Sequence, residues 1–168
     1  KWWPASYHLI GKDILTTHTV YWPTMLMSAG IELPITIFAH GWWLMGESKM
    51  SKSLGNVVNP MDLIDDYGVD PVRYYLMREM VLGQDSRFTM ESFIQRYNSD
   101  LANDFGNLLS RISALMKKNY GGVIPKPGAF TSAELSIKAN GEALVDIVQD
   151  KIESMHLNEA IEVTMQYI

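Results

Sequence analysis

The sequence contains no cysteine. Disulfide frameworks and thiolate metal sites are therefore excluded, so no structural metal is expected in this segment. No apolar run approaches the roughly 20 residues that a membrane-spanning helix needs, and no signal-peptide pattern opens the chain. No membrane partner is expected, and a cytoplasmic location is. Positive charge is also scarce: 14 Lys and Arg stand against 19 Asp and Glu, a net charge of −5 that argues against a generic nucleic-acid-coating protein. The deficit is uneven. Residues 1–60 carry Lys1, Lys12, Lys49 and Lys52 against Asp13, Glu32 and Glu47. Residues 132–168 set Lys138 and Lys151 against Glu134, Glu142, Asp146, Asp150, Glu153, Glu159 and Glu162. An anion site is expected early in the chain, and a solvated helical surface late. What is present, 47% hydrophobic and 20% charged residues, is the mix of a folded chain rather than a disordered one.

Tyr7-His8-Leu9-Ile10, closed by Gly11, reads as a short buried strand. Residues 13–27 read as a helix with Ile14, Leu15, His18, Trp22, Met25 and Leu26 on one face, kinked at Pro23 and ended at Gly30. Ile35-Thr36-Ile37-Phe38-Ala39 is a second β-rich run, which 42–45 extend or turn. Strand, helix, strand predicts a βαβ unit with parallel strands. From residue 56 the pattern is helical. Asn59-Pro60 and Asp70-Pro71 are helix-start signals, for helices at 61–66 and 72–82, and 84–88 read as a connector. Thr89 caps a long helix to about Tyr120, with Phe93, Tyr97, Leu101, Phe105, Leu108, Ile112 and Leu115 as its apolar stripe. Further helices are expected at 132–154 and from Asn158. The fold class expected is thus an α/β Rossmann-like fragment with an incomplete parallel sheet, followed by an all-α helical bundle. Its parts are 1–58, a helical connector at 59–88, and the bundle at 89–168.

The most informative segment is Lys49-Met50-Ser51-Lys52-Ser53-Leu54-Gly55-Asn56. Two lysines and two hydroxyls alternate within five residues, flanked by Gly46 and Gly55. Glycine permits close backbone approach, and lysine is a compact charge suited to phosphate oxygens. The segment follows a predicted parallel strand, the end at which α/β folds bind ligands. These features predict a loop that clamps a polyphosphate; the plain alternative is a polar surface loop.

The pentapeptide resembles the Lys-Met-Ser-Lys-Ser signature of class I aminoacyl-tRNA synthetases, and Leu54-Gly55-Asn56 continues as in those enzymes. The segment Leu9-Ile10-Gly11-Lys12-Asp13-Ile14, with His18, Trp22, Pro23 and Met25-Leu26, looks like the methionyl members. The connector residues Asn59-Pro60, Asp65, Tyr67-Gly68, Asp70, Arg73-Tyr74-Tyr75 and Arg78-Glu79 are similar to the family's segment behind the lysine loop. This resemblance implies the activation of methionine by ATP, with magnesium as a co-substrate ion, and transfer to tRNA(Met). It implies that Lys52, assisted by Lys49, stabilises charge developing on the pyrophosphate, with Ser51 in the same ATP-binding loop. Gly11 and Asp13 would sit beside the adenosine, and Ile14, His18 and Trp22 would line the methionine side chain's slot. An aromatic edge suits the thioether sulfur. In the long helix, Asn107 and Arg111 fit the place of two anticodon readers, with Asn103 one turn earlier; both residue types can read splayed bases.

For each of these there is a plainer reading: core packing for His18 and Trp22, a helix N-terminal acid for Asp13, and a polar surface stripe for Asn107 and Arg111. The family's His-Ile-Gly-His motif, which holds the triphosphate from the other side, and its zinc knuckle do not occur in the sequence. The chain is therefore read as a fragment whose other catalytic half precedes Lys1, and which by itself is expected to be inactive. Competing readings are a non-catalytic tRNA- or partner-binding module, another class I synthetase, and a nucleotidyltransferase of the same superfamily. Apolar sheet surface around Trp2, Trp3, Leu9 and 42–43 is expected to be exposed.

Overall fold

A computed structural model describes residues 2–46, 48–50, 55 and 57–168, with Lys49 described by its backbone alone. The chain divides into two compact units. One comprises Lys1–Val58 and Met80–Phe88, the other Asn59–Glu79 and Thr89–Ile168.

In the first unit, β1 (Tyr7–Gly11) and β2 (Thr36–His40) pair in parallel, with Tyr7 opposite Thr36 and Gly11 opposite His40. The expected strand–helix–strand unit is present. The linking helical stretch changes pitch along its length. It opens as a 3₁₀ turn at Lys12–Ile14, widens to a π turn at Thr17–Tyr21, and becomes α1 (Trp22–Ser28). Pro23 is the second residue of α1, at the change from π to α pitch, and supplies no N–H to the turn before it. The helix stops at Gly30, whose φ of +67° suits glycine.

Residues 42–45 do not simply prolong β2. They form a separate strand, β3 (Trp43–Met45), which turns at Gly46 (φ +64°) into the antiparallel β4 (Ser48–Lys49). A third strand, β5 (Ser86–Arg87), lies parallel to β3 on its other side. The 84–88 connector is therefore part of a sheet: the Ser86 N–H donates to the Trp42 carbonyl and the Phe88 N–H to the Leu44 carbonyl, each at 2.9 Å. Among the described residues, Ile10, Leu26 and Phe88 are the buried apolar side chains of this unit. Of the surface expected to be exposed, Trp2 and Leu9 are, whereas Trp3, Trp42 and Trp43 are half-buried.

The second unit is helical. It contains α2 (Pro60–Tyr67), α3 (Val69–Glu79), α4 (Met90–Arg96), a π-helical stretch (Tyr97–Gly106), α5 (Asn107–Tyr120), α6 (Ser132–Glu153) and α7 (Leu157–Tyr167). Its caps follow from the sequence. Asn59 accepts the Met61 N–H at 3.1 Å, Thr89 accepts the Ser92 N–H at 3.0 Å, and Thr131 with Glu134 forms a capping box. α3 ends at Glu79, earlier than its apolar pattern suggests, because Met80–Phe88 leaves the helix to complete the sheet of the first unit.

Tyr75 and Phe93, each 1% exposed, centre the core of this unit. Their rings meet edge-on at 5.3 Å, and Tyr67 adds edge contacts to Phe93 at 5.0 Å and to Tyr97 at 5.9 Å. Such pairs contribute roughly 0.5–1.5 kcal/mol each beyond the area they bury. The second half of the expected apolar stripe is not covered: Phe105, Leu108, Ile112 and Leu115 are all exposed. No residue of α5 is buried, so the exposure is of the whole helix rather than of one face.

Candidate functional site at the strand ends

Gly11 closes β1, and the backbone turns at once into the 3₁₀ helix that carries Asp13. A Cβ added at Gly11 would lie 2.6 Å from Asp13 Oδ1 and 3.8 Å from His40 Cε1. The Asp13 carboxylate thus hangs directly over the Gly11 backbone, at the carboxyl ends of the two parallel strands. A side chain at residue 11 would displace it. The corner places an exposed carboxylate at the ends of the strands.

His18 and Trp22 follow at a spacing of four on the crossover helix and face the amino-terminal strand. With Tyr7–Ile10, Thr17, Tyr21 and Met25 they line an open cleft of about 610 Å³. Ile14 does not line it and is exposed. The His18 Nδ1 lies 2.9 Å from the Ile14 carbonyl oxygen, so Nδ1 carries the proton and donates. The other ring nitrogen is then an acceptor. The Trp22 indole N–H and the His8 Nδ1 are both buried and make no hydrogen bond among the described residues. Trp3 touches both rings, meeting Trp22 edge-on at 6.3 Å and His8 at 5.9 Å. The cleft therefore combines aromatic walls with a few unmatched polar atoms, as pockets for small organic ligands do.

The β3–β4 hairpin, built on Leu44 opposite Lys49, launches the lysine loop. Lys52 and Ser51 lie outside the described residues, as does the Lys49 side chain. At the base of the hairpin, the Lys12 ammonium reaches both carboxylate oxygens of Asp85, at 2.6 and 2.7 Å. Asp85 also accepts the Trp42 N–H at 2.9 Å. Neither Asp85 nor the His8–Trp3 wall was anticipated from the residues alone. A lone acid in a short connector carries no pattern. Gly41 did carry a signal, since glycine at a strand end marks close backbone approach: a Cβ there would sit 2.0 Å from the Gln84 carbonyl oxygen.

Asn107 and Arg111 stand in the other unit, on the first two turns of α5, and both are exposed. Asn103 falls in the π stretch, so it does not continue their row at α-helical phase. Lys117 and Lys118 add positive charge in the last turn, where the helix dipole favours it.

The family model for tRNA synthetases class I (M) matches residues 1–113. The chain is 49% identical over 162 residues to the methionine–tRNA ligase of Mycobacterium leprae, covering 96% of this chain and 30% of that protein. It is 47% identical over 169 residues to that of Bacillus subtilis, covering 100% of this chain and 26% of the relative. The structure superposes on Mycobacterium tuberculosis methionyl-tRNA synthetase in complex with methionyl-adenylate with a TM-score of 0.94 at 44% identity, covering 99% of this chain and 33% of that one. The chain thus spans a third or less of the proteins it matches. With a strand–helix–strand segment that precedes the Lys49–Ser53 motif, helices after it in the sequence, and a family match over the first 113 residues, the chain belongs to the class I tRNA synthetases of the (M) family.

Proposed function

We propose that these residues are part of a methionine–tRNA ligase, which activates methionine with ATP and transfers the methionyl group to tRNA(Met) in the cytoplasm. The observation that carries this reading is the cleft between β1 and the crossover helix, in the same unit as the Gly11–Asp13 corner. Asp13, His18 and Trp22 are gathered in one unit with the hairpin that launches the two-lysine loop. In the first step a carboxylate oxygen of methionine attacks the α-phosphorus of ATP, the bond to the β-phosphate oxygen breaks, and pyrophosphate leaves with magnesium as its counter-ion. Lys52 and Lys49 would hold the departing charge, with Ser51 in the loop between them. Gly11 would sit beside the adenosine and leaves room for the Asp13 carboxylate, which would accept from a ribose hydroxyl. His18 and Trp22 would enclose the methionine side chain. Residues 1–58 would form the later part of the catalytic domain, 59–88 the connector, and 89–168 the beginning of the anticodon-binding domain, where Asn107 and Arg111 contact the anticodon.

The test is methionine-dependent ATP–pyrophosphate exchange by the protein encoded in the complete reading frame. Lys52→Ala should lower exchange by about two orders of magnitude, as expected for one lost transition-state donor of about 2.7–4 kcal/mol. Exchange with another amino acid in place of methionine would overturn the assignment. The 168 residues alone, which carry no His-Ile-Gly-His motif, are expected to bind without forming adenylate.

A further inference from the structure

We propose that Asp85 is a positioning residue, whose carboxylate fixes the strand that launches the lysine loop against the Gly11–Asp13 corner. The inference rests on the function proposed above for that corner and loop, and adds a residue that lies far from both in sequence.

Three contacts converge on this one side chain. Lys12 sits between Gly11 and Asp13, and its ammonium bridges both Asp85 oxygens. The Trp42 N–H, immediately before β3, donates to Oδ1 at 2.9 Å. The Lys12 ammonium also lies 4.1 Å from the centre of the Trp42 ring, a cation–π contact that closes the triangle. Lys12 and then the Trp42 backbone N–H hold the carboxyl below the usual carboxylate range, so it is charged at neutral pH. The backbone around it is equally constrained. The Gln84 carbonyl leaves no room for a side chain at Gly41, and the Ser86 and Phe88 N–H groups donate to the Trp42 and Leu44 carbonyls.

The clasp therefore joins two things that the chemistry needs in register. On one side is the end of β1, which presents Asp13. On the other is β3, which runs through Gly46 into β4, with the Met50 N–H returning to the Trp43 carbonyl. A lysine loop can meet a triphosphate only if its root is fixed relative to the nucleoside. Misplacement of about 1 Å away from the chemistry can cost on the order of a hundredfold in rate. Asp85 touches neither nucleotide nor amino acid in this scheme. It acts through Lys12 and Trp42.

The experiment compares Asp85→Ala and Asp85→Asn with the parent, in the protein from the complete reading frame. Exchange rates are normalised to active sites titrated by adenylate formation, so that partial unfolding does not enter. For Asp85→Ala, kcat/KM for ATP should fall about tenfold or more, while KM for methionine stays within twofold. Asp85→Asn keeps an oxygen for the Trp42 N–H but loses the charge facing Lys12, and should fall in between. Unchanged ATP kinetics, an equal change in both substrates, or a rise in kcat would overturn the proposal; the last would mean that Asp85 merely sequesters Lys12. Hydrogen exchange gives a readout independent of the reaction: Asp85→Ala should lose protection at the Trp42, Ser86, Phe88 and Met50 amides. Retained protection there would overturn the clasp itself. Absence of methionine-dependent exchange in the parent would instead count against the proposed function.

Discussion

The Nδ1 atom of His18 lies 2.9 Å from the carbonyl oxygen of Ile14, one turn earlier on the same helix. This bond sets the tautomer, turning Nε2 into an acceptor at the wall of the cleft. His18→Asn should keep the link to Ile14 through its amide, but loses the outer acceptor. Methionine KM in the exchange assay should rise about tenfold, the equivalent of one hydrogen bond near 1.4 kcal/mol, with the KM for ATP unchanged. An unaltered methionine KM would place His18 outside the substrate's reach.

In the helical unit, the Tyr74 hydroxyl donates to Asp100 Oδ2 at 2.8 Å, and Arg96 bridges Asp100 and Glu79 at 3.4 and 3.2 Å. Burial and then the Asp100 contact raise the Tyr74 phenol well above its ordinary range. Burial works to raise the Asp100 carboxyl too, yet the Ser99 and Tyr74 hydroxyls and Arg96 bring it below its ordinary range. The two shifts act at opposite ends of the pH scale. The Asp100 contribution is present above about pH 4 and disappears as pH falls through the lowered value; that of Tyr74 is present below about pH 10 and disappears as pH rises beyond it. Tyr74→Phe should cost about 2 kcal/mol at neutral pH and flatten the alkaline loss. Hydrogen exchange of amides in α3 and α4 across pH checks both.

Phe93 meets Tyr75 and Tyr67 edge-on inside the same unit. Phe93→Ala should destabilise that unit by about 3–5 kcal/mol, through lost burial and the cavity left behind. Amides of α2, α3 and α4 should lose protection together, while those of β1 and β2 keep theirs. Uniform loss over both units would show that they unfold as one.

Gly41→Ala places a methyl group 2.0 Å from the Gln84 carbonyl oxygen, a contact with backbone that no rotamer change relieves. A cost of about 1–3 kcal/mol is expected, in the range for overpacking. The loss should be confined to the amides of β3, β4 and β5. If Gly41→Ala is neutral, the 84–85 peptide is not seated as described.

The parallel pair was legible because Tyr7–Gly11 and 35–39 are short apolar runs ending beside a glycine or histidine, with a helical period between them. The caps at Asn59 and Thr89 were legible for a similar reason, since a cap is a local event written in adjacent residues. β5 was not. Ser86 and Arg87 are two residues with no periodicity, and they become a strand only because β3 offers them an edge. The stripe from Phe105 to Leu115 misled because apolar spacing marks a face that can be covered, and α5 buries none of its residues. In the cleft, the positions of His18 and Trp22 follow from a spacing of four. The His8 and Trp3 side chains join them only through the parallel register and the crossover, which no local pattern encodes.

The order in which the first unit is assembled has a consequence for synthesis. The chain makes Trp43–Met45, departs to build two helices, and only then returns with Ser86 and Arg87. On a ribosome, the root of the lysine loop therefore emerges well before the strand and the carboxylate that hold it. A nascent chain interrupted at Val58 would contain every residue of the loop and still lack its anchor. Deletions placed between Val58 and Met80 should be felt first at the β3–β4 hairpin, through the delayed or lost arrival of Asp85.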